Sequence, residues 1–154
     1  MEELEDLLVR YRPKFLYTNP TFQNPTGRTL AIVARRELLD LAARYRLPIV
    51  EDDPYSELGW QRPPPPALFD LGDHHLVIRI GTFSKTLAGG LRLGWLAASD
   101  SIVDQLALIK QRTDVSSAML TQVLVAEFLT AGHFDRHLAV VRAEHKLRHA
   151  AMRP

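Results

Sequence analysis

The stretch from Gly81 to Trp95 carries many side chains that bind anions or attack carbonyl groups. It reads GTFSKTLAGGLRLGW and contains two hydroxyls, a lysine, two adjacent glycines and an arginine: Thr82, Ser84, Lys85, Gly89, Gly90 and Arg92. A lysine amine can form a Schiff base, and hydroxyl and guanidinium groups hydrogen-bond phosphate oxygens. A nucleotide-binding P-loop does not fit, because its glycines precede the lysine whereas Gly89 and Gly90 follow it. The stretch therefore predicts an anion site with a nucleophilic amine.

Three consecutive carboxylates, Glu51, Asp52 and Asp53, follow a short apolar run that is typical of a buried strand. Such a cluster can bind Mg²⁺, and Lys85 and Arg92 would then clamp a transferring phosphoryl group. The missing P-loop argues against that alternative. Glu51 and Asp53 are expected only to cap and solvate the turn.

The elements around these residues predict that they meet at one edge of a sheet. A strand, an amphipathic helix and a second strand follow one another at Phe15-Leu16-Tyr17, Leu30 to Arg46 and Ile49-Val50. The apolar face of the helix contains Leu38 and Leu41, and Arg35 lies outside it. This order is typical of a right-handed crossover between parallel strands. Ligands of such sheets bind outside the carboxyl ends of the strands, where Asn24, Asp52 and Lys85 would fall.

The rest of the chain also alternates between strands and helices, which favours an α/β fold. Strands are predicted at Leu76 to Ile80, buried on both faces, and at Gly94 to Ala98. Helices are predicted at Leu4 to Arg12, after the capping residues Ser99-Asp100-Ser101, at Ala118 to Leu129 and at Asp135 to Met152. The helix after Ser99 should bury an apolar stripe of Ile102, Val103, Leu106 and Ile109.

Composition narrows the class of protein. The chain has 154 residues, which suits one domain, and its 19 basic and 18 acidic residues favour neither nucleic acid nor an anionic membrane. It has no cysteine, so disulfides and thiolate metal sites are excluded. The charged start and the lack of a long apolar run indicate no signal peptide and no membrane span, so we expect a cytoplasmic protein.

Two further patterns have ordinary explanations. His145 and His149 have helical i, i+4 spacing without the glutamate of a His-Glu-x-x-His site, and His74-His75 lies in a polar loop, so no metal is assigned.

The segment Gln61 to Pro66 contains four consecutive prolines. It could bind an SH3-like domain, but a stiff surface connection within the domain is favoured.

Together, four spaced elements resemble a known family. These are Asn24 in Asn-Pro-Thr-Gly, Asp52 with Tyr55 three residues later, Lys85 within Thr-Phe-Ser-Lys-Thr-Leu-Ala, and Arg92 seven residues after the lysine. Their order and spacing resemble those of fold-type I pyridoxal-phosphate (PLP) enzymes of the class I/II aminotransferase family. The resemblance covers most of the chain. It implies a three-layer αβα large domain with a mostly parallel sheet.

The resemblance implies a covalent role for Lys85. In the family this lysine forms the internal aldimine with the cofactor aldehyde and then carries a proton between the substrate and the cofactor. Asp52 would pair with the pyridine nitrogen and keep it protonated, so that the ring accepts electrons.

The remaining site residues would orient the cofactor. The resemblance implies that Asn24 and Tyr55 donate hydrogen bonds to the oxygen at ring position 3. Thr82, Ser84 and Arg92 would hold the phosphate, the arginine through its planar fork. The expected catalytic residues are thus Lys85, Asp52 and Tyr55.

The chain departs from the family pattern in two respects. Gly89 stands where the subgroup has proline, which should loosen the phosphate loop and lower cofactor affinity. The first strands of the large domain, a further phosphate loop, a ring-stacking aromatic residue and a small C-terminal domain with a carboxylate-binding arginine are not found. We therefore expect residues 1–154 to be one partial large domain, with exposed strand edges that cause self-association.

Three functions are compatible with these residues. The first is a PLP-dependent aminotransferase, a homodimer that moves amino groups between amino acids and 2-oxo acids in amino-acid metabolism and biosynthesis. The second is the aminotransferase-like effector domain of a GntR/MocR-type transcription regulator, with a DNA-binding domain encoded upstream. The third is a non-catalytic remnant. The enzyme is favoured because this chain has no basic element that would contact nucleic acid.

Overall fold

The computed structural model describes residues 1–72 and 75–152. His74, one of the two histidines of the polar loop, lies outside the described residues.

The centre of the molecule is a four-stranded sheet in the order β1-β2-β3-β4. Its strands are β1 (Leu16–Thr18), β2 (Ile49–Asp52), β3 (Val77–Thr82) and β4 (Gly94–Ala97). β1 pairs parallel with β2, and β2 pairs parallel with β3, whereas β4 returns antiparallel to β3. A short connection can join only antiparallel neighbours, so the lysine-bearing loop between β3 and β4 dictates this reversal. The predicted strands and the mostly parallel sheet are confirmed.

Six helices accompany the sheet within the described ranges. They are α1 (Glu2–Tyr11), α2 (Ile32–Tyr45), α3 (Leu68–Leu71), α4 (Asp100–Thr113), α5 (Met119–Thr130) and α6 (His133–Met152). Single 3₁₀ turns lie at Ser56–Leu58 and Gly89–Leu91. Among the helices of the described residues, none combines the length and apolarity needed to cross a bilayer.

The hydrophobic core lies between one face of the sheet and helices α1, α2 and α3. Its buried side chains come from all of these elements: Leu8, Leu38, Leu41, Ala42, Leu47, Ile49, Leu68 and Val77. The apolar faces predicted for α1 and α2 supply most of the helical contribution. Burial of these aliphatic side chains is the main source of stability for this half of the molecule.

Three sequence expectations about burial are wrong. In β3 only Val77 is fully buried and the other residues are half-buried, so the strand is not covered on both faces. The stripe expected to be buried on α4 is not, because no residue of that helix is buried and Ile109 is 58% exposed. Arg35, expected outside the apolar face of α2, is fully buried.

The buried Arg35 side chain hydrogen-bonds two loops next to the core. Its guanidinium donates to the backbone oxygens of Leu30 (2.9 Å), Pro20 (3.0 Å) and Pro66 (3.2 Å) and to Thr21 Oγ1 (2.8 Å). Burial lowers its pKa, while the facing carboxylates act in the opposite direction. One buried side chain thus joins the turn after β1 to the polyproline segment.

The three consecutive carboxylates have three different environments. Glu51 is fully buried, lies 3.7 Å from Arg35 Nη1 and accepts the backbone N–H groups of Leu68 (2.8 Å) and Phe69 (3.0 Å). Burial raises the pKa of Glu51, and these two N–H groups oppose that shift. The expectation that Glu51 solvates a turn is therefore wrong: it is a structural acceptor in the core.

Asp53 caps the following turn, as predicted, but it is buried instead of solvated. It accepts the Ser56 backbone N–H at 3.2 Å and the Ser56 hydroxyl at 2.8 Å. Its Oδ2 also accepts Nη2 (2.6 Å) and Nε (3.2 Å) of Arg79. Burial lowers the pKa of Arg79, but the hydrogen bond to Asp53 and the charges of Asp53, Asp70 and Glu51 together outweigh burial, so the net shift is upward.

Candidate active site

The residues expected to bind a cofactor follow the carboxyl ends of the parallel strands. Asn24 lies in the loop after β1, Asp52 is the last residue of β2, and Lys85 follows the end of β3 at Thr82. Because β4 is antiparallel to β3, it begins at this same edge, where Gly94 pairs with Thr82, and Arg92 lies two residues before Gly94. The sheet register thus places all of them along one edge, as the crossover pattern predicts.

Lys85 lies at the tip of a tight loop. The backbone N–H of Phe83 donates to Leu93 O at 3.1 Å, and the Phe83 carbonyl accepts the N–H groups of Leu87 (2.8 Å) and Ala88 (3.1 Å). Lys85 is exposed, and within the described chain no carboxylate lies within 4.0 Å of its amine. An amine that is not held in an ion pair is available for bond formation.

The predicted phosphate-binding side chains line the same loop. Thr82 Oγ1 accepts the Ser84 backbone N–H at 3.1 Å and lies 3.5 Å from Leu93 O. Arg92 has a left-handed backbone (φ 49°), is exposed, and donates Nη1 to Gly89 O at 3.3 Å. A Cβ added at Gly89 would touch one backbone oxygen at 4.0 Å, so nothing in the loop requires glycine there.

Helix α6 packs against the lysine-bearing loop. This contact was not predicted from the sequence. His137 Nε2 lies 2.9 Å from the Thr86 carbonyl, and Phe134 packs edge-on against Phe83 with centroids 6.5 Å apart. The same helix reaches the turn after β2, where Arg142 Nε donates to Glu57 O at 2.6 Å. α6 therefore links the loops that follow β2 and β3.

At the end of β2, Asp52 Oδ2 accepts the hydroxyl of Tyr17 from β1. The sequence identified Tyr17 only as part of a short strand. The alternation of Leu16, Tyr17 and Thr18 along β1 could have indicated this contact, because it places Tyr17 on the opposite sheet face from Leu16, which packs against the core.

Asn24 and Tyr55 are near the edge without direct bonds to the other site residues. Asn24 is exposed and precedes a cis proline at position 25. No hydrogen bond among the described residues joins Asn24 or the Tyr55 hydroxyl to Asp52 or Lys85. Their cofactor-orienting roles stay predictions.

Beside Tyr55 lies a groove of about 1210 Å³. Trp60 and the polyproline segment form part of its wall, together with His145 and His149 of α6. The histidine rings lie 6.3 and 5.4 Å from the Trp60 ring, measured between centroids. These histidines thus pack as aromatic partners that hold α6 against the loop after β2.

The family model for aminotransferase class I and II matches residues 1–154. The chain belongs to that family. Among similar proteins, the kynurenine aminotransferase of Pyrococcus horikoshii, solved with PMP and kynurenine, superposes with a TM-score of 0.93. It is 37% identical, and the match covers 98% of this chain and 39% of that one. The family assignment and the fold are therefore confirmed.

Two curated relatives are named as different classes of protein. Aromatic-amino-acid aminotransferase 1 of Thermococcus litoralis is 39% identical over 139 residues, which is 90% of this chain and 33% of the relative. The uncharacterized HTH-type transcriptional regulator YisV of Bacillus subtilis is 39% identical over 142 residues, which is 92% of this chain and 29% of the relative. The chain thus spans about a third of the length of the relatives it matches.

Proposed function

We propose that the full-length protein is a PLP-dependent aminotransferase that moves an amino group between an amino acid and a 2-oxo acid. The supporting observation is the arrangement at the sheet edge. Asp52 ends β2, Lys85 follows β3 and Arg92 precedes β4 along this edge, and among the described residues no carboxylate lies within 4.0 Å of the Lys85 amine. The substrates and the activity are proposals, because the chain spans only part of its relatives.

The donor set suits pyridoxal phosphate chemically. Lys85 offers a free amine for the aldehyde, and Asp52 offers a carboxylate for the ring nitrogen. Thr82, Ser84 and Arg92 offer two hydroxyls and a cation for the phosphate. When bound, the cofactor supplies an electron sink for the carbanion formed at the substrate α-carbon.

Within this arrangement the protein's own groups hold and move protons. Lys85 Nζ would hold the cofactor covalently and would carry the proton of the substrate α-carbon. Asp52 would keep the ring nitrogen protonated, and Asn24 and Tyr55 would donate to the ring oxygen. These roles need an amine, a carboxylate and two hydrogen-bond donors, which Lys85, Asp52, Asn24 and Tyr55 supply.

We also propose that these residues are part of a large domain and that the full-length protein is a cytoplasmic homodimer. The proposal of a dimer is supported by the apolar side chains that α4 and α5 expose, such as Leu120 (73%) and Met119 (68%). Exposed apolar patches of this kind commonly mark protein interfaces.

A second function is supported by the similarity to YisV. A regulator would keep Lys85 and the cofactor but use ligand binding to control an attached DNA-binding domain. An open reading frame that encodes a basic winged helix-turn-helix upstream of Met1 would favour this function over the enzyme.

The cofactor assignment is tested by absorption spectroscopy of the full-length gene product. After addition of PLP, we expect a visible band from lysine-bound cofactor that disappears in Lys85→Ala. Lys110→Ala is the matched control, because Lys110 is a surface lysine paired with Asp114 on α4 at 2.7 Å. A band that survives Lys85→Ala, or no band at all, would contradict the assignment.

Activity is a separate measurement. An aminotransferase loaded with PLP should convert an amino acid to its 2-oxo acid in a single half-reaction. A Lys85-dependent band without any half-reaction across the common amino acids would favour the regulator or a non-catalytic remnant.

A further inference from the structure

Tyr17 and Asp52 are brought together by the pairing of β1 with β2. Tyr17 pairs with Val50, and Asp52 follows Val50 by two residues, so all three lie on the same face of the sheet. This face is the one opposite the core residues Leu16 and Ile49. The Tyr17 hydroxyl donates to Asp52 Oδ2.

The environment keeps this hydroxyl protonated. The hydrogen bond to Asp52 raises the pKa of Tyr17 above its ordinary value of 10.0, and partial burial and the charges of Asp52 and Tyr55 add to the shift. A tyrosine that loses its proton only above its ordinary range remains a donor throughout the physiological range.

Packing does not account for Tyr17. Its side chain is 56% exposed, and it is not part of the hydrophobic core. Another tyrosine–carboxylate bond exists at the surface, where Tyr45 donates to Glu5 Oε1 at 2.9 Å. That bond joins α2 to α1 and involves none of the expected site residues.

We propose that Tyr17 is a positioning residue that orients the Asp52 carboxylate toward the cofactor ring. The bond to the Tyr17 hydroxyl holds Oδ2, which leaves Oδ1 to accept the N–H of the pyridine ring. A donated hydrogen bond also stabilises the ionised carboxylate, which must stay charged when a bound ring displaces water from it. This inference rests on the proposed PLP-dependent function.

The test compares Tyr17→Phe with Tyr45→Phe in the full-length gene product. Both variants keep the ring and lose one hydroxyl that donates to a carboxylate. The dissociation constant for PLP is measured by equilibrium dialysis, the visible band is titrated with pH, and thermal unfolding of the cofactor-free protein is recorded.

We expect Tyr17→Phe to weaken PLP binding about tenfold, the size expected for a hydrogen bond to a charged group. The pH titration of its band should also shift, while Tyr45→Phe matches the wild type in both measurements. Unchanged thermal unfolding of cofactor-free Tyr17→Phe would separate the positioning role from a structural one.

Two failures can be told apart. A wild-type protein with no Lys85-dependent band would overturn the proposed function and, with it, the role of Tyr17. A wild-type protein with that band, whose Tyr17→Phe variant has the same PLP affinity and the same pH titration, would overturn only the role of Tyr17.

Discussion

The two sides of this molecule differ in how completely they are packed. On the side of α1, α2 and α3, Leu41 is 1% exposed and charged groups such as Arg35 are fully bonded inside the core. On the side of α4 and α5, large apolar residues face outward, and Leu120 is 73% exposed. The first side is a closed hydrophobic core, whereas the second exposes large apolar side chains.

Strand β2 shows the same contrast between adjacent residues. Glu51 points to the sheet face that the core covers and accepts backbone N–H groups there, whereas Asp52 points to the opposite sheet face and accepts the Tyr17 hydroxyl. Because successive strand residues face opposite ways, one carboxylate is structural and the next is free for chemistry. The difference shows that the contacts of Glu51 on the core face fix the position of the strand end that carries Asp52.

The largest expected loss of stability comes from a substitution of the buried Arg35. Arg35→Met should destabilise the chain by about 3–5 kcal/mol, because it leaves Glu51 buried without its cation and several carbonyls without their donor. Urea unfolding measures the change. Arg44→Met removes the exposed pair with Glu5 and should cost less than about 1 kcal/mol. Equal losses in the two variants would contradict the proposed difference between the pairs.

A somewhat smaller effect is expected from a core leucine. Leu41→Ala should cost about 2–5 kcal/mol, because it removes buried methyl groups and leaves a cavity. Leu108, on α4, is 52% exposed, and Leu108→Ala should change the free energy of unfolding by less than about 0.5 kcal/mol. A large loss on truncating Leu108 in this chain would show that the α4 side is packed.

An intermediate effect is expected at the junction of β3 and β4. A Cβ at Gly81 would overlap Trp95 Cζ2, so Gly81→Ala forces a shift of the indole, which also contacts the Arg79 guanidinium. Overpacking of this kind costs about 1–3 kcal/mol.

Gly90→Ala is the control for that substitution, because an added Cβ there meets no atom within 4 Å. Thermal unfolding and tryptophan fluorescence should change for Gly81→Ala and not for Gly90→Ala. Identical fluorescence in both variants would contradict the close packing of the Trp95 indole on Gly81.

The smallest effect on stability is expected on the exposed apolar surface of α5. Leu120→Lys should shift the free energy of unfolding by less than about 0.5 kcal/mol, because the side chain is already exposed. It should nevertheless reduce self-association of the 154-residue chain, which light scattering and size-exclusion chromatography measure. A wild-type chain that is monomeric at all concentrations would contradict the interpretation of this surface.

Much of the fold was predictable because its signals are local. Turn residues and apolar periodicity mark the strands and the long helices within about two residues of their observed ends. Burial was less predictable, since it depends on neighbours distant in sequence. Arg35 has the sequence context of a surface residue, yet its guanidinium bonds Pro20 and Pro66. Its four carbonyl and hydroxyl acceptors come from two segments, the loop between β1 and α2 and the polyproline segment.

The sequence alone determined the order of strands and helices and the kinds of side chain available at the carboxyl ends of the parallel strands. Those features follow from local propensity and from the direction that parallel pairing imposes. The tertiary structure decided which of three neighbouring carboxylates faces the core, and it brought Tyr17 to Asp52. These two residues are 35 positions apart, and only the register of β1 on β2 makes them neighbours.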